Sequence, residues 1–319
     1  MSAPGARSPP SLKYLQTNPV FNAHYFEDEG AKAGQDNGPT GGFGWDGRSD
    51  SLQAQALLPL FAANEMAATP EHLQRVVKAA PYARLLLRLL GAEVVAQPQL
   101  LVQQIGYALQ TYQQNAAVFY PYTSKYDAVL CGQARLTAQE SRGLAAFNRE
   151  DKGNCASCHP SGMAASGGFP QFTDYGYANL GLPRNNQIPA NADARYFDLG
   201  LCGPLRHDLE NKPEYCGMFK VPSLRNVARK KSFYHNAVAH SLLQAVRFYA
   251  ERDTYAERWY PHDSEGKIRR FNDIPEEYVE TVEMDAPFTA RAGEKSPLKP
   301  SDVRDIVAFL KTLTDGYRP

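Results

Sequence analysis

The chain has 319 residues, with 34 lysines and arginines balanced by 34 aspartates and glutamates. This length is enough for two domains of ordinary size. The balanced charge gives no indication of a nucleic-acid partner or an anionic membrane surface. No apolar stretch approaches the roughly 20 residues that a membrane span needs, and the residues after Met1 lack the apolar core of a signal peptide.

The dominant periodicity is helical, and we predict a mainly α protein. Thr69 and Pro70 indicate a helix start, because an N-cap threonine is followed by proline at the first helical position. A second helix is expected after Pro98, with a single apolar face made of Leu101, Ile105, Ala108, Leu109 and Tyr112.

Two further helices are predicted in the second half of the chain. Thr137 and Glu140 form a capping box that opens a helix through Phe147. Ser301 is expected to cap the last helix, which Gly316 ends. Its apolar residues follow the helical spacing: Val303, Ile306, Val307, Leu310 and Leu313.

Two stretches, residues 27–48 and 159–224, are rich in Gly, Asn, Asp or Pro and lack periodicity. Long loops without regular structure are uncommon in compact domains unless they wrap something. The most plausible boundary lies near Pro121 to Gly132. We therefore expect one domain over residues 1–125 and a second over residues 126–319.

One C-x-x-C-H motif, formed by Cys155, Cys158 and His159, predicts covalent attachment of a c-type haem. Two thiols three residues apart can add to both vinyl groups of one porphyrin. The adjacent imidazole then lies beneath the iron as its ligand. The motif follows a helix and precedes irregular loops, as at the start of a cytochrome c domain.

Two alternatives for the motif are less favoured. A zinc ribbon needs a second close cysteine pair, whereas Cys131, Cys202 and Cys216 are scattered. A thioredoxin-like dithiol should follow a strand and open a helix, and here the motif comes a few residues after a helix.

Cys202 and Cys216 flank a polar loop and can close it as a disulfide in an oxidising compartment; the alternative is two unpaired thiols. Cys131 is expected to be left over as a free thiol. Haem attachment through thioethers in bacteria is normally chemistry of exported proteins, which indicates the periplasm. The missing signal peptide means either that the protein matures elsewhere or that the sequence begins downstream of its true start, and we favour the second.

The chain resembles the bacterial di-haem cytochrome c peroxidase family, most closely its methylamine-utilisation (MauG-like) branch. The resemblance runs over nearly the whole chain. It rests on three groups of residues: Arg7-Ser-Pro-Pro-Ser11-Leu12; Trp45-Asp46-Gly47-Arg48 with Ser51-Leu52, Gln55-Ala56, Pro59-Leu60 and Glu65-Met66; and Phe219 to Val227 with Tyr234-His235-Asn236 and Ala245 to Tyr249.

The resemblance implies two cytochrome c-like domains, each with its own haem motif. This chain holds one motif, and the family's first motif should lie shortly upstream of Arg7. The resemblance therefore implies an N-terminal domain that is truncated here and two haems in the intact protein. A late start explains the missing signal peptide and the missing haem motif together.

In the family the first haem binds peroxide and the second relays electrons. The resemblance carries Gln55, Pro59 and Glu65 onto the peroxide pocket, where Glu65 would move a proton as the O–O bond breaks. Considered alone, Glu65 is an ordinary surface glutamate. Trp45 falls where the family has an aromatic residue between the haems, which is also compatible with a buried core tryptophan.

The second ligand of the His159 haem has two candidates. The resemblance places Tyr249 where this branch carries a tyrosine and the peroxidases carry a methionine. The rival is Met218, which lies 59 residues beyond His159, a separation common in small cytochromes. A third interpretation makes Tyr249 a packing residue on a helix. His235 is expected to contact the haem edge rather than the iron.

The family also holds a calcium ion between its domains. Asn18 matches the family's asparagine, and Lys230 and Ser232 stand where the family usually has threonine and proline. Carbonyl ligands tolerate such changes, but a lysine adds positive charge beside a divalent cation. The calcium prediction is therefore left open.

Two functions follow. The first is a periplasmic di-haem oxidoreductase that reduces hydrogen peroxide, with electrons from a small cytochrome c or cupredoxin, or that oxidises a protein substrate if Tyr249 is the ligand. The second is a mono-haem electron-transfer cytochrome without peroxidase activity. Whether the chain forms a homodimer stays open.

Overall fold

The computed structural model describes residues 5–26 and 34–318. Helix is the dominant element of these residues, which confirms the predicted mainly α class. The helices are α1 (Leu52–Phe61), α2 (Pro70–Ala79), α3 (Ala83–Leu90), α4 (Ala92–Ala96), α5 (Pro98–Gln113), α6 (Ala116–Phe119), α7 (Lys125–Leu130), α8 (Ala138–Asn148), α9 (Leu242–Glu251) and α10 (Pro300–Lys311).

Strand structure in the described ranges is limited to two short antiparallel segments, β1 (Tyr177–Ala178) and β2 (Phe219–Lys220). The loops between α8 and α9 are otherwise irregular, apart from single 3₁₀ turns. This agrees with the loop predicted over residues 159–224. Part of the other predicted loop, residues 27–33, lies outside the described residues.

Three of the four predicted helix starts are confirmed. The Thr69 hydroxyl accepts from the His72 N–H at the start of α2. Helix α5 begins at Pro98. The Thr137 capping box opens α8, with the Glu140 carboxylate accepting the Thr137 N–H at 2.7 Å.

The predicted cap of the last helix was wrong. Helix α10 begins at Pro300, with Lys299 rather than Ser301 at the N-cap. The Lys299 N–H donates to the Asp302 carboxylate at 3.0 Å, and proline suits the first helical position because it needs no partner for an N–H. The helix ends at Lys311, five residues before Gly316.

The first half of the chain is built on α1 and α5, which pack together through a close approach at Gly106. A Cβ at Gly106 would lie only 3.1 Å from side-chain atoms of Gln53 and Leu57. Helix α2 also packs on α5, and α3 connects to α4. Leu52 is the buried residue of α1, and most of its other residues are half-buried.

The second half is built on α8, α9 and α10. Helices α8 and α10 cross closely at Gly143, where a Cβ would overlap the carbonyl of Asp305. Their apolar faces join α9 in one buried cluster that includes Phe147, Val246 and Phe309. Helix α7 packs against this cluster through Tyr126, whose ring belongs to the cluster. The Tyr126 N–H also donates to the Thr312 carbonyl at 3.1 Å. The division at residue 125 stays a prediction.

The predicted disulfide between Cys202 and Cys216 is confirmed. Both cysteines belong to a separate buried cluster with Leu201, Leu209 and Tyr215. The third cysteine outside the motif, Cys131, is an exposed free thiol, as expected.

Candidate haem site

The motif cysteines and histidine lie on one helical turn. Asn154 adopts a left-handed backbone conformation with φ 45°, and a 3₁₀ turn, Cys155–Ser157, follows it. The His159 N–H donates to the Cys155 carbonyl at 2.8 Å. Because residues three and four apart share a face of a helical turn, both thiols and the imidazole line the same cavity.

The His159 imidazole is oriented by a main-chain carbonyl. Its Nδ1 lies 2.7 Å from the carbonyl oxygen of Phe172. A carbonyl only accepts hydrogen bonds, so Nδ1 carries the proton and Nε2 keeps its lone pair. Burial lowers the pKa of His159 to about 4, against the opposing effect of the Phe172 bond. The imidazole is therefore neutral, as an iron ligand must be.

The direction of the Phe172 carbonyl depends on an unusual backbone conformation of Phe172. Phe172 has φ 55°, although a bulky side chain rarely adopts this left-handed region. Its ring is fully buried and packs edge-on against Tyr126 and Phe147. Packing of the ring thus holds a backbone conformation that would otherwise cost about 1–3 kcal/mol.

The cavity beside His159 fits a haem. It has a volume of about 560 Å³ and is lined by apolar side chains from three helices, among them Phe147 of α8, Val246 of α9 and Ile306 of α10. Its wall carries the groups that c-type attachment needs: two thiols that can bond to the porphyrin and one neutral imidazole that can bind the iron. Burial, and to a smaller extent the neighbouring Cys158, raises the pKa of Cys155 to about 12. The Cys155 thiol therefore stays protonated.

Helix α9 brings Tyr249 to this cavity. Its ring stacks on Phe288, which lines the same cavity. Burial raises the pKa of Tyr249, and the thiols of Cys155 and Cys158 raise it further. The rival ligand Met218 packs instead against the Cys202–Cys216 cluster and does not line the cavity. The position of the two side chains therefore favours Tyr249.

The residues predicted for the peroxide pocket are on and after α1. Gln55 and Pro59 are one helical turn apart. The Gln55 side chain reaches the cavity, and its Oε1 is buried without a hydrogen-bond partner. Glu65 lies in the turn that follows, where its N–H donates to the Ala62 carbonyl, and it is exposed.

Trp45 belongs to a group of three buried aromatic rings. Its Nε1 donates to the Ser8 carbonyl at 2.6 Å, and its ring meets the His235 ring edge-on at 6.5 Å. His235 stacks flat on Phe219, with centroids 3.4 Å apart. All three rings line the cavity. The His235 Nε2 has no hydrogen-bond partner and lies 3.7 Å from the Asp273 carboxylate.

Ion pairs that the sequence did not predict lie behind Trp45. Arg7 pairs with Asp46 and with Asp198, each at 2.6 Å, and Asp46 is fully buried. Phe172 and Phe288 were also missed. No local pattern marks them, because a carbonyl direction and a ring contact depend on distant segments.

The side chains of the predicted calcium residues make other contacts. The Asn18 side chain donates through Nδ2 to the Gly42 carbonyl. The Lys230 ammonium, itself a cation, donates to the Pro9 carbonyl at 3.2 Å, and the Ser232 hydroxyl lies 3.0 Å from the Ser8 hydroxyl. Binding of calcium stays a prediction.

Comparison with known proteins identifies the family. A family model described as di-haem cytochrome c peroxidase matches residues 2–135. The methylamine utilization protein MauG of Paracoccus denitrificans is 32% identical over 99% of this chain and 76% of its own length. The chain belongs to the di-haem cytochrome c peroxidase family, in its MauG-like branch. The cytochrome c551 peroxidase of Nitrosomonas europaea is 27% identical over 63% of this MauG-like chain and 52% of that protein.

A solved structure supports the same assignment. The diheme peroxidase BthA of Burkholderia thailandensis is 38% identical, with a TM-score of 0.85 over 98% of the MauG-like chain and 72% of BthA. The protein is a haem c oxidoreductase of the cytochrome c peroxidase/MauG type. Among its described residues, none of the helices is long and apolar enough to cross a membrane.

Proposed function

We propose that the protein reduces hydrogen peroxide in the periplasm, with electrons relayed through a haem held by Cys155, Cys158 and His159. The observation that carries this proposal is the His159 imidazole, which the Phe172 carbonyl turns towards a cavity that also contains both motif thiols. A haem held there supplies an iron that accepts and passes on single electrons.

The chain's own residues have three tasks in this function. His159 would hold the iron through Nε2, and its bond to the Phe172 carbonyl limits rotation of the imidazole. Cys155 and Cys158 would anchor the porphyrin edge through covalent thioether bonds. Tyr249, which lines the cavity and whose ring is held by the Phe288 ring, would supply a phenol oxygen as a further ligand of the iron.

Peroxide reduction also needs protons at the other haem. The reaction consumes two electrons and two protons and yields two waters. Glu65 is proposed to carry a proton between the two peroxide oxygens, and the Gln55 Oε1 is proposed to accept a hydrogen bond from hydrogen peroxide. The unpartnered Oε1 of Gln55, which lines the cavity, supports the role of Gln55. The role of Glu65 is proposed from the family resemblance and from its place in the turn after α1.

A second candidate function is oxidation of a protein substrate. Tyr249 in the cavity supports it, with Met218 lying elsewhere. A phenolate is a hard anionic donor that favours oxidised iron, whereas a thioether favours the reduced form. A site with tyrosine therefore suits an oxidant better than a simple electron relay.

Haem content and peroxide turnover test the proposal. Protein expressed from its genomic locus should contain two haems per polypeptide by pyridine haemochrome and should consume peroxide with a reduced donor. His159→Ala should abolish turnover, and His240→Ala, which changes an exposed histidine, should leave it unchanged. One haem per polypeptide without turnover would instead identify a mono-haem electron-transfer cytochrome.

A further inference from the structure

A second cleft, separate from the haem cavity, opens beside α9. It has a volume of about 490 Å³, and its wall includes Trp259, Glu251 and three arginines, Arg184, Arg247 and Arg258. None of these residues has a place in the function proposed above. The cleft differs from the haem cavity in that four of its eight lining residues are charged.

The cleft carries excess positive charge at its mouth. Arg247 and Arg258 are each about half exposed, with 53% and 54% of their side-chain surface open. Both face the single carboxylate of Glu251, at 3.8 Å and 2.9 Å. Deeper in, the buried Arg184 lies 3.8 Å from Asp273. In these ion pairs three arginines face two carboxylates, an excess of one positive charge.

A continuous row of aromatic rings leads from this cleft to the haem cavity. The half-buried Trp259 ring meets the Phe248 ring edge-on, with centroids 5.1 Å apart. Phe248 is fully buried and contacts Tyr249 at 6.2 Å. Tyr234 bridges the same two rings, at 5.5 Å from Phe248 and 6.3 Å from Tyr249. These spacings are those of rings in direct contact.

We propose that this cleft is the docking site of an acidic redox protein, and that Trp259 is the port through which its electron reaches the His159 haem. The proposal rests on the proposed function and adds the surface and the charge of the donor. Electronic coupling falls steeply with each gap between groups, so a row of touching rings is a favoured route. One electron leaves the reduced donor and reduces the haem iron; no bond forms or breaks and no proton moves.

The charge of the cleft determines how fast the donor arrives. Exposed arginines attract an acidic surface and raise the association rate, and added salt screens this attraction. A basic donor of similar potential is repelled by the same residues. Arg247 and Arg258 share the carboxylate of Glu251. An acidic patch on the donor supplies a further carboxylate to pair with these two arginines.

Stopped-flow reduction of the haem-loaded protein tests the docking surface. At low salt, a reduced acidic cupredoxin should react with the R247E/R258E variant about 10-fold more slowly than with the wild type, and with a weaker salt dependence. A basic cytochrome c should react faster with the variant. The matched control is R142E, which breaks an exposed ion pair with Asp305 on another face and should keep the wild-type rate. Unchanged rates in R247E/R258E, or an equal loss in R142E, would refute the docking surface.

The electron route through the aromatic rings is tested by stopped-flow reduction at a saturating concentration of the donor. Trp259→Phe keeps a ring against Phe248 and should keep most of the limiting rate, whereas Trp259→Leu should lower it several-fold. Reduction by dithionite should be equal in all variants, because a small reductant does not need the port. A wild-type limiting rate in Trp259→Leu would overturn the route. Peroxide turnover is not part of these measurements, so failure of the peroxidase proposal would appear separately, as reduction by the donor without turnover.

Discussion

The Tyr249 ring lies against the Phe288 ring with centroids 5.4 Å and planes 23° apart. The guanidinium of Arg252, which is fully buried, lies 3.5 Å from the centre of the Phe288 ring. Cation and aromatic rings thus form one stack, and a charged group packed on an aromatic face stabilises it. The stack fixes the Tyr249 ring independently of its hydroxyl.

Tyr249→Phe should therefore remove the phenol oxygen and keep the stack. We expect the haem at His159 to lose a ligand and to bind carbon monoxide or cyanide, which absorption spectroscopy would detect. Ascorbate should reduce the Tyr249→Phe haem more readily than the wild-type haem, because a phenolate stabilises ferric iron. Met218→Leu is the control and should leave the spectrum unchanged. The opposite pattern, a change with Met218→Leu alone, would assign the ligand to Met218.

Glu65→Gln should lower peroxide turnover by roughly 10²–10⁴-fold, because an amide of the same shape cannot carry the proton. Haem content and the spectrum of the His159 haem should not change. Glu71→Gln changes another exposed glutamate, in the first turn of α2, and should keep full turnover. Wild-type turnover in Glu65→Gln would remove Glu65 from the mechanism.

Lys220 should make stability depend on pH. Its ammonium donates to the Gly41 and Tyr175 carbonyls at 2.8 Å and 3.2 Å. Burial lowers its pKa to about 7, although Asp174 opposes the shift. An unfolded lysine keeps its proton to about pH 10.4, so above pH 7 the unfolded chain binds more protons than the folded one. The free energy of unfolding should then rise with pH, by at most roughly 1.4 kcal/mol per pH unit.

Chemical denaturation of the haem-loaded protein from pH 7 to 9 measures this slope. Lys220→Met removes the titrating group and should give a flatter dependence than the wild type. The window lies below the titration of unfolded tyrosines, which would act in the opposite direction. Equal slopes in the two proteins would show that Lys220 keeps the same pKa on folding.

The Cys202–Cys216 disulfide closes a loop with a sequence separation of 14 residues. Replacing both cysteines by serine should lower the free energy of unfolding by about 3 kcal/mol, since the unfolded chain regains the entropy of an open loop. Changing both cysteines together leaves no stray thiol. Cys131→Ser, at the exposed free cysteine, should stay within about 0.5 kcal/mol of the wild type. An equally stable double variant would contradict this role of the disulfide.

The sequence alone determined those features of this protein that depend on contacts between residues close together in the chain. The caps at Thr69 and Thr137 and the proline at 98 set helix starts, because their partners lie within three residues. The haem motif is likewise local, since one helical turn brings Cys155, Cys158 and His159 together. The same local logic was wrong at α10, where Pro300 starts the helix ahead of Ser301.

Only the tertiary structure decided what faces the motif. The carbonyl that orients His159 belongs to Phe172, thirteen residues away in an irregular loop. Tyr249 and Met218 were both compatible with the sequence, and packing put one beside the cavity and the other beside a disulfide. Ring contacts such as Tyr249 on Phe288 join segments that are distant along the chain. Their geometry depends on how whole helices and loops pack, which no short pattern of residues encodes.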